Sequence, residues 1–369
     1  MLDNHIWCVV MAGGSGTRFW PVSTAEVPKH FLPIKGDADA AVPGAGMPFL
    51  KATVGRFDGL VPPERTLVVA NRRHEALVRG MLPELPSENI LLEPYNRDTA
   101  PCIAYAMYTI LKRDPEGIMV VVPSDHLILE EEKFRSLVEK IASMVPQYDV
   151  LTTIGISPTR PDTNYGYIQA DGIPEDGEPI KVKTFTEKPD PDLAEIFVQS
   201  GDFLWNSGIF VWKADTLHRE FHRHMPQISG AFRGWQGALD TPFQEEFLER
   251  AYADAPKISI DYAILERSDK VWTFPSSMGW YDTGTWESLY SFRSKDADGN
   301  VCTAKNSIIR SSKGNLFACT DPSKLVAVQG LENYIVVDTG KVLLICPRDD
   351  RKFRDFLSNL ALPQFEPYR

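Results

Sequence analysis

Near the start of the chain, in MAGGSGTRFWPVSTAEVPKHF (11–31), three glycines fall within four residues. Arg18 follows at once, and Lys29 sits in a Pro-Lys pair a little later. Glycine carries no Cβ, so backbone N–H groups in such a turn can close on an anion. Arg18 adds a planar fork suited to phosphate oxygens, and Lys29 adds a mobile point charge. Two common phosphate turns do not fit. A dinucleotide fingerprint needs a small residue where Phe19 stands, and a P-loop ends in Gly-Lys-Ser/Thr. The residues leave open a phosphate cradle of another kind, or a tight turn carrying two surface cations.

Carboxylates supply the other half of phosphate chemistry. Asp125 follows the apolar run of VVVPSDH, and Asp282 lies in GWYDTGTW. Mg²⁺ is usually held by one or two carboxylates plus substrate phosphates, so either is a candidate ligand. Each could equally be a turn or N-cap aspartate. Glu187 and Lys188 end the run TFTEKPD, where a charged strand end is the plain reading. Asn206 stands in FLWNSGIFVW, where an amide needs a backbone partner or a ligand hydroxyl. Gly166, between the tyrosines of NYGYI, lets backbone approach a ring closely. Tyr and Trp beside Gly and Asn suit a sugar. No Ser, Cys or His is set up as a nucleophile, and His126 has no second ligand at metal spacing.

These groups must be positioned by the elements around them. IWCVVMA (6–12), TLVVA (66–70), NILLE (89–93), IMVVVP (118–123) and VLTTIGI (150–156) read as buried parallel strands. FLKATVGRFDGL, RRHEALVRGML, APCIAYAMYTILKR and EKFRSLVEKIASMV between them carry helical spacing. That alternation predicts an α/β, doubly wound sheet. In such sheets ligands sit beyond the carboxyl ends of the strands. Three strands deliver GGSGTR, Glu93-Pro94 and Ser124-Asp125-His126 to that edge. NYGYIQADG, IKVKTFTEKPD and FLWNSGIFVWKAD read as an inserted antiparallel portion. From about Asp296 short strands separated by Gly, Asn, Asp and Ser suggest a small all-β domain, a coil of strands ending in the helix KFRDFLSNLAL. The expected partition is 1–290 and 291–369.

The chain has 369 residues, ample for a large core. Its net charge of -11 disfavours a nucleic-acid or membrane-surface binder. Five scattered cysteines without a CxxC, and no signal-peptide pattern, point to the reducing cytoplasm. No run approaches a membrane span.

Taken together, GGSGTRFWPVSTAEVPKHFLPI, LEPYNRDTAP (92–101), TFTEKPD, LWNSGIFVW, SIDYAILE (259–266) and WYDTGTW (280–286) resemble the sugar-nucleotide pyrophosphorylases, in the mannose-1-phosphate guanylyltransferase branch. The resemblance covers nearly the whole chain in the family's motif order. It implies a Rossmann-like mixed sheet with a left-handed β-helix-like C-terminal domain. It implies GTP and mannose 1-phosphate as substrates, GDP-mannose and pyrophosphate as products, and Mg²⁺ as cofactor. On this resemblance Ala12, Gly13, Gly14, Ser15, Gly16, Thr17 and Ser124 cradle the nucleotide, and Glu93 and Thr99 lie against the base. Arg18, Lys29 and Lys188 serve phosphate transfer, Asp125 and Asp282 hold the metal, and Gly166, Glu187, Asn206 and Asp261 read the sugar. Two residues depart from the family pattern: Asp98 replaces its usual asparagine and His30 its usual glutamine.

Glu93 would accept from the N1–H and 2-amino donors of guanine. The alternatives are another nucleotide or sugar 1-phosphate, including a heptose or fucose phosphate, and a non-catalytic nucleotide-sugar sensor. A dehydrogenase reading lacks the third glycine and a suitably placed acidic residue. The apolar strands of the C-terminal unit, too small to bury them alone, suggest a homodimer contact.

Overall fold

The computed structural model describes residues 5–14, 16–35, 46–321 and 323–368, so Ser15 lies outside the described residues. The chain divides into two compact units. The first comprises residues 1–13, 54–123 and 128–280, the second residues 14–53, 124–127 and 281–369.

A nine-stranded sheet runs through the first unit. Its strands are β1 (Ile6–Ala12), β2 (Thr66–Asn71), β3 (Ile90–Glu93), β4 (Ile118–Pro123), β5 (Leu151–Ile156), β6 (Tyr167–Ala170), β7 (Ile180–Thr186), β8 (Phe203–Lys213) and β9 (Val271–Pro275). They lie in the order β3-β2-β1-β4-β8-β5-β9-β7-β6. The first four are parallel, as their unbroken apolar runs predict. VLTTIGI forms β5 as expected, but it does not join that parallel group directly. The aromatic strand β8 inserts between β4 and β5 and runs antiparallel to both. The reason lies in β8 itself: Phe210, Val211 and Trp212 are all buried, so the strand needs neighbours on both edges and cover on both faces. β8 also pairs with β6, antiparallel.

Helix α1 (Thr99–Arg113) begins where the Asp98 side chain accepts from the Thr99 N–H at 2.8 Å. Asp98 adopts φ +70° with ψ −171°, outside the left-handed helical region and in backbone space that residues with a Cβ seldom enter. Lys112 and Arg113 complement the dipole at the other end. Ala100 to Ile110 are buried in the core shared with Leu217 and Phe221 of α2 (Ala214–His224) and Phe247, Leu248 and Tyr252 of α3 (Gln244–Asp254).

The second unit packs Phe19, Trp20 and Phe49 with Trp286 and Leu289 of α4 (Trp286–Phe292) and with a small β domain. Phe19 stacks on Trp286 at 4.2 Å, and the Trp286 indole donates to the Trp20 carbonyl at 2.9 Å. In the β domain, β10 (Val301–Cys302), β12 (Leu316–Cys319) and β14 (Tyr334–Asp338) form one parallel ribbon, and β11 (Asn306–Arg310) and β13 (Leu325–Gln329) form another. Successive strands alternate between the two ribbons, so the backbone coils, as the spacing of short strands suggests. β15 (Leu343–Pro347) closes the first ribbon antiparallel to β14. Buried asparagines hold the corners. Asn315 donates to the Asn300 Oδ1 at 2.8 Å and to the Leu331 carbonyl at 2.9 Å, and it accepts from the Tyr334 N–H. A strand corner turned inward leaves backbone groups without sheet partners, and these amides satisfy them. The helix expected from KFRDFLSNLAL spans Asp350–Ser358.

Among the described residues no helix is long and apolar enough to cross a membrane. All five cysteines are free thiols.

Candidate active site

Parallel pairing of β3, β2, β1 and β4 brings the ends of β1, β3 and β4 to one edge, as the sequence predicts. Ala12, buried, ends β1, and Glu93 ends β3. Glu93 is 3% exposed. Its Oε1 accepts from the Tyr252 hydroxyl at 3.0 Å, and its Oε2 faces Gly13. A Cβ on Gly13 would stand 2.6 Å from that oxygen, so any other residue there would have to displace the carboxylate. Burial pushes the Glu93 carboxyl up to about 8. The Tyr252 donor opposes the rise, and Asp98 adds to it. The Thr99 hydroxyl accepts from the Ile260 N–H at 2.8 Å, tying the start of α1 to the segment before Asp261.

The sugar-site candidates gather at the bulge of β8. The register against β5 shifts between Asn206 and Phe210, and Gly208 supplies φ +69°. Such a bulge re-aims a side chain. The Asn206 Oδ1 accepts from Gly208 N–H and the Thr153 hydroxyl, both at 3.2 Å, and its Nδ2 donates to the Asp261 Oδ1 at 2.9 Å. The amide is thereby fixed, with one N–H left to offer. The Asn206 N–H donates to the Gly166 carbonyl at 2.8 Å. Glu187 Oε2 occupies the space that a Cβ on Gly166 would need. Lys188, at φ +50°, pairs with Glu187. Burial and the Glu187 charge push the Asp261 carboxyl up to about 7. Gly166, Glu187, Lys188, Asn206 and Asp261 thus form one cluster. Tyr165 packs against Trp205 and Trp280 at 5.0 and 5.3 Å beside it.

The second unit holds Arg18, Lys29 and the two aspartates. Gly14 is exposed, and Gly16, at φ +60°, begins a short 3₁₀ turn, Thr17–Phe19. A Cβ on Gly16 would lie 2.8 Å from the Lys29 backbone nitrogen, so this glycine allows both the turn and the close approach. Thr17 is exposed, and Arg18 is half-buried with no ion-pair partner among the described residues. Lys29 is buried. Its Nζ donates to the Asp125 Oδ2 at 2.9 Å and lies 5.1 Å from the Phe49 ring centre. Burial opposes the Asp125 charge, but Lys29, with His126 and His30, holds the carboxyl well below the usual range. Ser124 is buried, and its carbonyl accepts from the Thr53 hydroxyl at 3.3 Å.

The two aspartates sit on adjoining segments. The Thr283 hydroxyl donates to the Asp125 carbonyl at 3.1 Å, and the His126 Nε2 lies 3.9 Å from the Asp282 Oδ1. Among the described residues no group of three His, Cys, Asp or Glu is arranged to hold a metal. One or two carboxylates are the protein ligands of a metal site that substrate phosphates complete, and Asp125 and Asp282 are the candidates for it here. Tyr252 is the functional candidate that sequence reasoning missed. It lies 159 positions from Glu93, in an amphipathic helix with no local mark of function.

A profile of the nucleotidyl transferase family matches residues 7–299. The chain is 35% identical to a mannose-1-phosphate guanylyltransferase of Escherichia coli K12, over 95% of this chain and 72% of that protein. It is 36% identical to a mannose-1-phosphate guanylyltransferase of Salmonella typhimurium, over 94% of this chain and 71% of that one. A solved structure from Thermus thermophilus, described as a mannose-1-phosphate geranyltransferase, superposes with a TM-score of 0.80 at 31% identity, covering 97% of this chain and all of that one. The glycine turn, the strand-end carboxylates and these likenesses agree: the chain belongs to the nucleotidyl transferase family.

Proposed function

We propose that this protein transfers GMP from GTP to mannose 1-phosphate, giving GDP-mannose and pyrophosphate. The reading is supported by one arrangement within each unit: the Lys29–Asp125 pair beside Asp282 in the second, and the fixed Asn206–Asp261–Glu187 cluster in the first. One set suits phosphate charge, the other sugar hydroxyls. The mannose and guanine assignments rest on the resemblance and on the relatives' names.

The sugar-phosphate oxygen attacks the α-phosphorus. The new O–P bond forms as the bond from the α-phosphorus to the pyrophosphate oxygen breaks. Such a transfer needs positioning and charge neutralisation rather than a covalent intermediate. Backbone N–H groups of Gly13, Gly14 and Gly16 receive phosphate oxygens, with Ala12, Thr17 and Ser124 lining the nucleotide site. Arg18 and Lys29 neutralise the triphosphate, and Lys188 the sugar phosphate. Asn206 donates its free N–H to a sugar hydroxyl, while Glu187 accepts from one. Glu93 meets the guanine edge, and Thr99 holds the adjoining backbone. Asp125 and Asp282 would hold a divalent cation, Mg²⁺ in our reading, which screens phosphate charge when bound.

We assign the transfer to residues 1–290 and assembly to residues 291–369. The exposed apolar side chains of the coil, Ile308, Leu325, Leu343 and Ile345, suit a second copy of the chain. The double change Ile308→Lys, Leu325→Lys should then halve the sedimenting mass. Free thiols throughout suit the reducing cytoplasm. The deciding assay is Mg²⁺-dependent pyrophosphate release over a grid of nucleoside triphosphates and sugar 1-phosphates. Release strongest with GTP and mannose 1-phosphate supports the reading. Release with GTP and a different sugar overturns the sugar assignment, and none with any pair overturns the enzyme.

A further inference from the structure

Tyr252 has two acceptors in reach of one proton. Its hydroxyl oxygen lies 3.0 Å from the Glu93 Oε1 and 3.3 Å from the Pro101 carbonyl. A phenol carries a single O–H but can also accept. The site can therefore satisfy Glu93 in either protonation state. With Glu93 ionised, Tyr252 donates to it. With Glu93 protonated, the acid donates to the Tyr252 oxygen, and the tyrosine proton turns to Pro101. The surroundings favour the neutral acid. The titratable groups that bear on Glu93 are Tyr252 on α3, Tyr105 and Cys102 on α1, and Asp98 at its cap. None of these is a cation, and a buried carboxylate without one is costly.

Purines make the two states distinguishable. Guanine presents adjacent donors, N1–H and the 2-amino group, and pairs with a carboxylate. Adenine presents an acceptor, N1, beside the 6-amino donor, and pairs with a protonated acid. We propose that Tyr252 is a positioning residue whose hydroxyl turns between Glu93 and the Pro101 carbonyl, so that Glu93 gives up its proton when guanine binds and thereby selects guanine over adenine. The inference rests on the guanylyltransferase reading. The proton balance is simple: the Glu93 acid and the ligand give the carboxylate–guanine pair and one proton, which leaves to solvent.

The test is calorimetry of GDP-mannose binding in buffers of different ionisation enthalpy. This ligand's diphosphate diester has no proton to lose near neutrality, so a released proton comes from the protein. Wild type should release close to one proton per ligand at pH 6.5, falling away above about pH 8. Glu93→Gln should release about one proton fewer than wild type under the same conditions. Tyr252→Phe should move the half-release point upward, because the carboxylate loses its donor. In turnover, the same variant should raise the KM for GTP at pH 7 by roughly tenfold, more than it lowers kcat. Raising the pH should restore much of that loss, and discrimination against ATP at pH 7 should narrow. GDP-mannose binding without proton release overturns this inference alone, and so does a Tyr252→Phe defect equal at pH 7 and pH 9. Failure of GDP-mannose to bind at all overturns the guanylyltransferase reading and this inference with it. The proton counts of wild type and Glu93→Gln decide the matter even if Tyr252→Phe fails to fold.

Discussion

Replacing Glu93 with Gln should stabilise the protein above neutral pH while impairing its chemistry. Glu93 is buried with no cation against it, and burial carries its carboxyl from 4.5 to about 8. The sign follows from that direction. The folded state holds the proton more tightly than the unfolded chain, so the acid does not count against folding below the unfolded value. As pH rises from about 4.5 toward 8, the unfolded chain releases the proton while the fold retains it, and stability falls. Above about 8 both states are ionised, and the loss is complete. At roughly 1.4 kcal/mol for each tenfold change in proton affinity, wild type loses about 4 kcal/mol between pH 5 and pH 9 from this group alone. Glutamine keeps the shape and an acceptor for Tyr252 without the proton. Urea unfolding at the two pH values, followed by tryptophan fluorescence, measures the difference. The variant should be near wild type at pH 5 and more stable by a few kcal/mol at pH 9, and it should lose its preference for GTP. A stability difference independent of pH would refute the argument, because it would mean that Glu93 titrates alike in the folded and unfolded chain.

Three further outcomes follow from the same geometry. Lys29→Met keeps the apolar stem against Phe49 but leaves the Asp125 carboxylate without its cation. Because that side chain is about one-third exposed, the cost should be about 2 kcal/mol, below that of a fully buried pair, in urea unfolding. Pyrophosphate release by the same variant should fall at least 100-fold, the scale of losing one preorganised electrostatic contact. Asn315→Ala strips a buried corner of three hydrogen bonds and should lower stability by about 3 kcal/mol, read as a reduced melting temperature. Gly166→Ala drives a methyl into Glu187 and should raise the KM for mannose 1-phosphate roughly tenfold, with a much smaller change in the KM for GTP.

Order in the chain specifies local features. Unbroken apolar runs specify buried parallel strands, because a strand covered on both faces has no polar side to show. The turn chemistry is written in glycines whose positions require φ above zero or a close neighbour, as at Gly16. Glu93 and the Ser124-Asp125-His126 run could be assigned to the ligand edge because that edge follows from strand direction alone. The C-terminal coil was legible from its spacing of short strands and polar corners. The insertion of β8 between β4 and β5 was not, because strand order depends on which aromatic faces need cover, and that is settled over the whole sheet. Nor could spacing reveal that Lys29 is buried against Asp125, or that Asn206 is locked by Asp261 and Thr153. Least visible was Tyr252. Its helix reads as ordinary core, and packing of α3 against the end of β3 puts its hydroxyl on the buried Glu93 carboxyl. Local sequence sets which groups can ionise or bend; tertiary burial decides which of them are shifted from their ordinary state, and so which can be used.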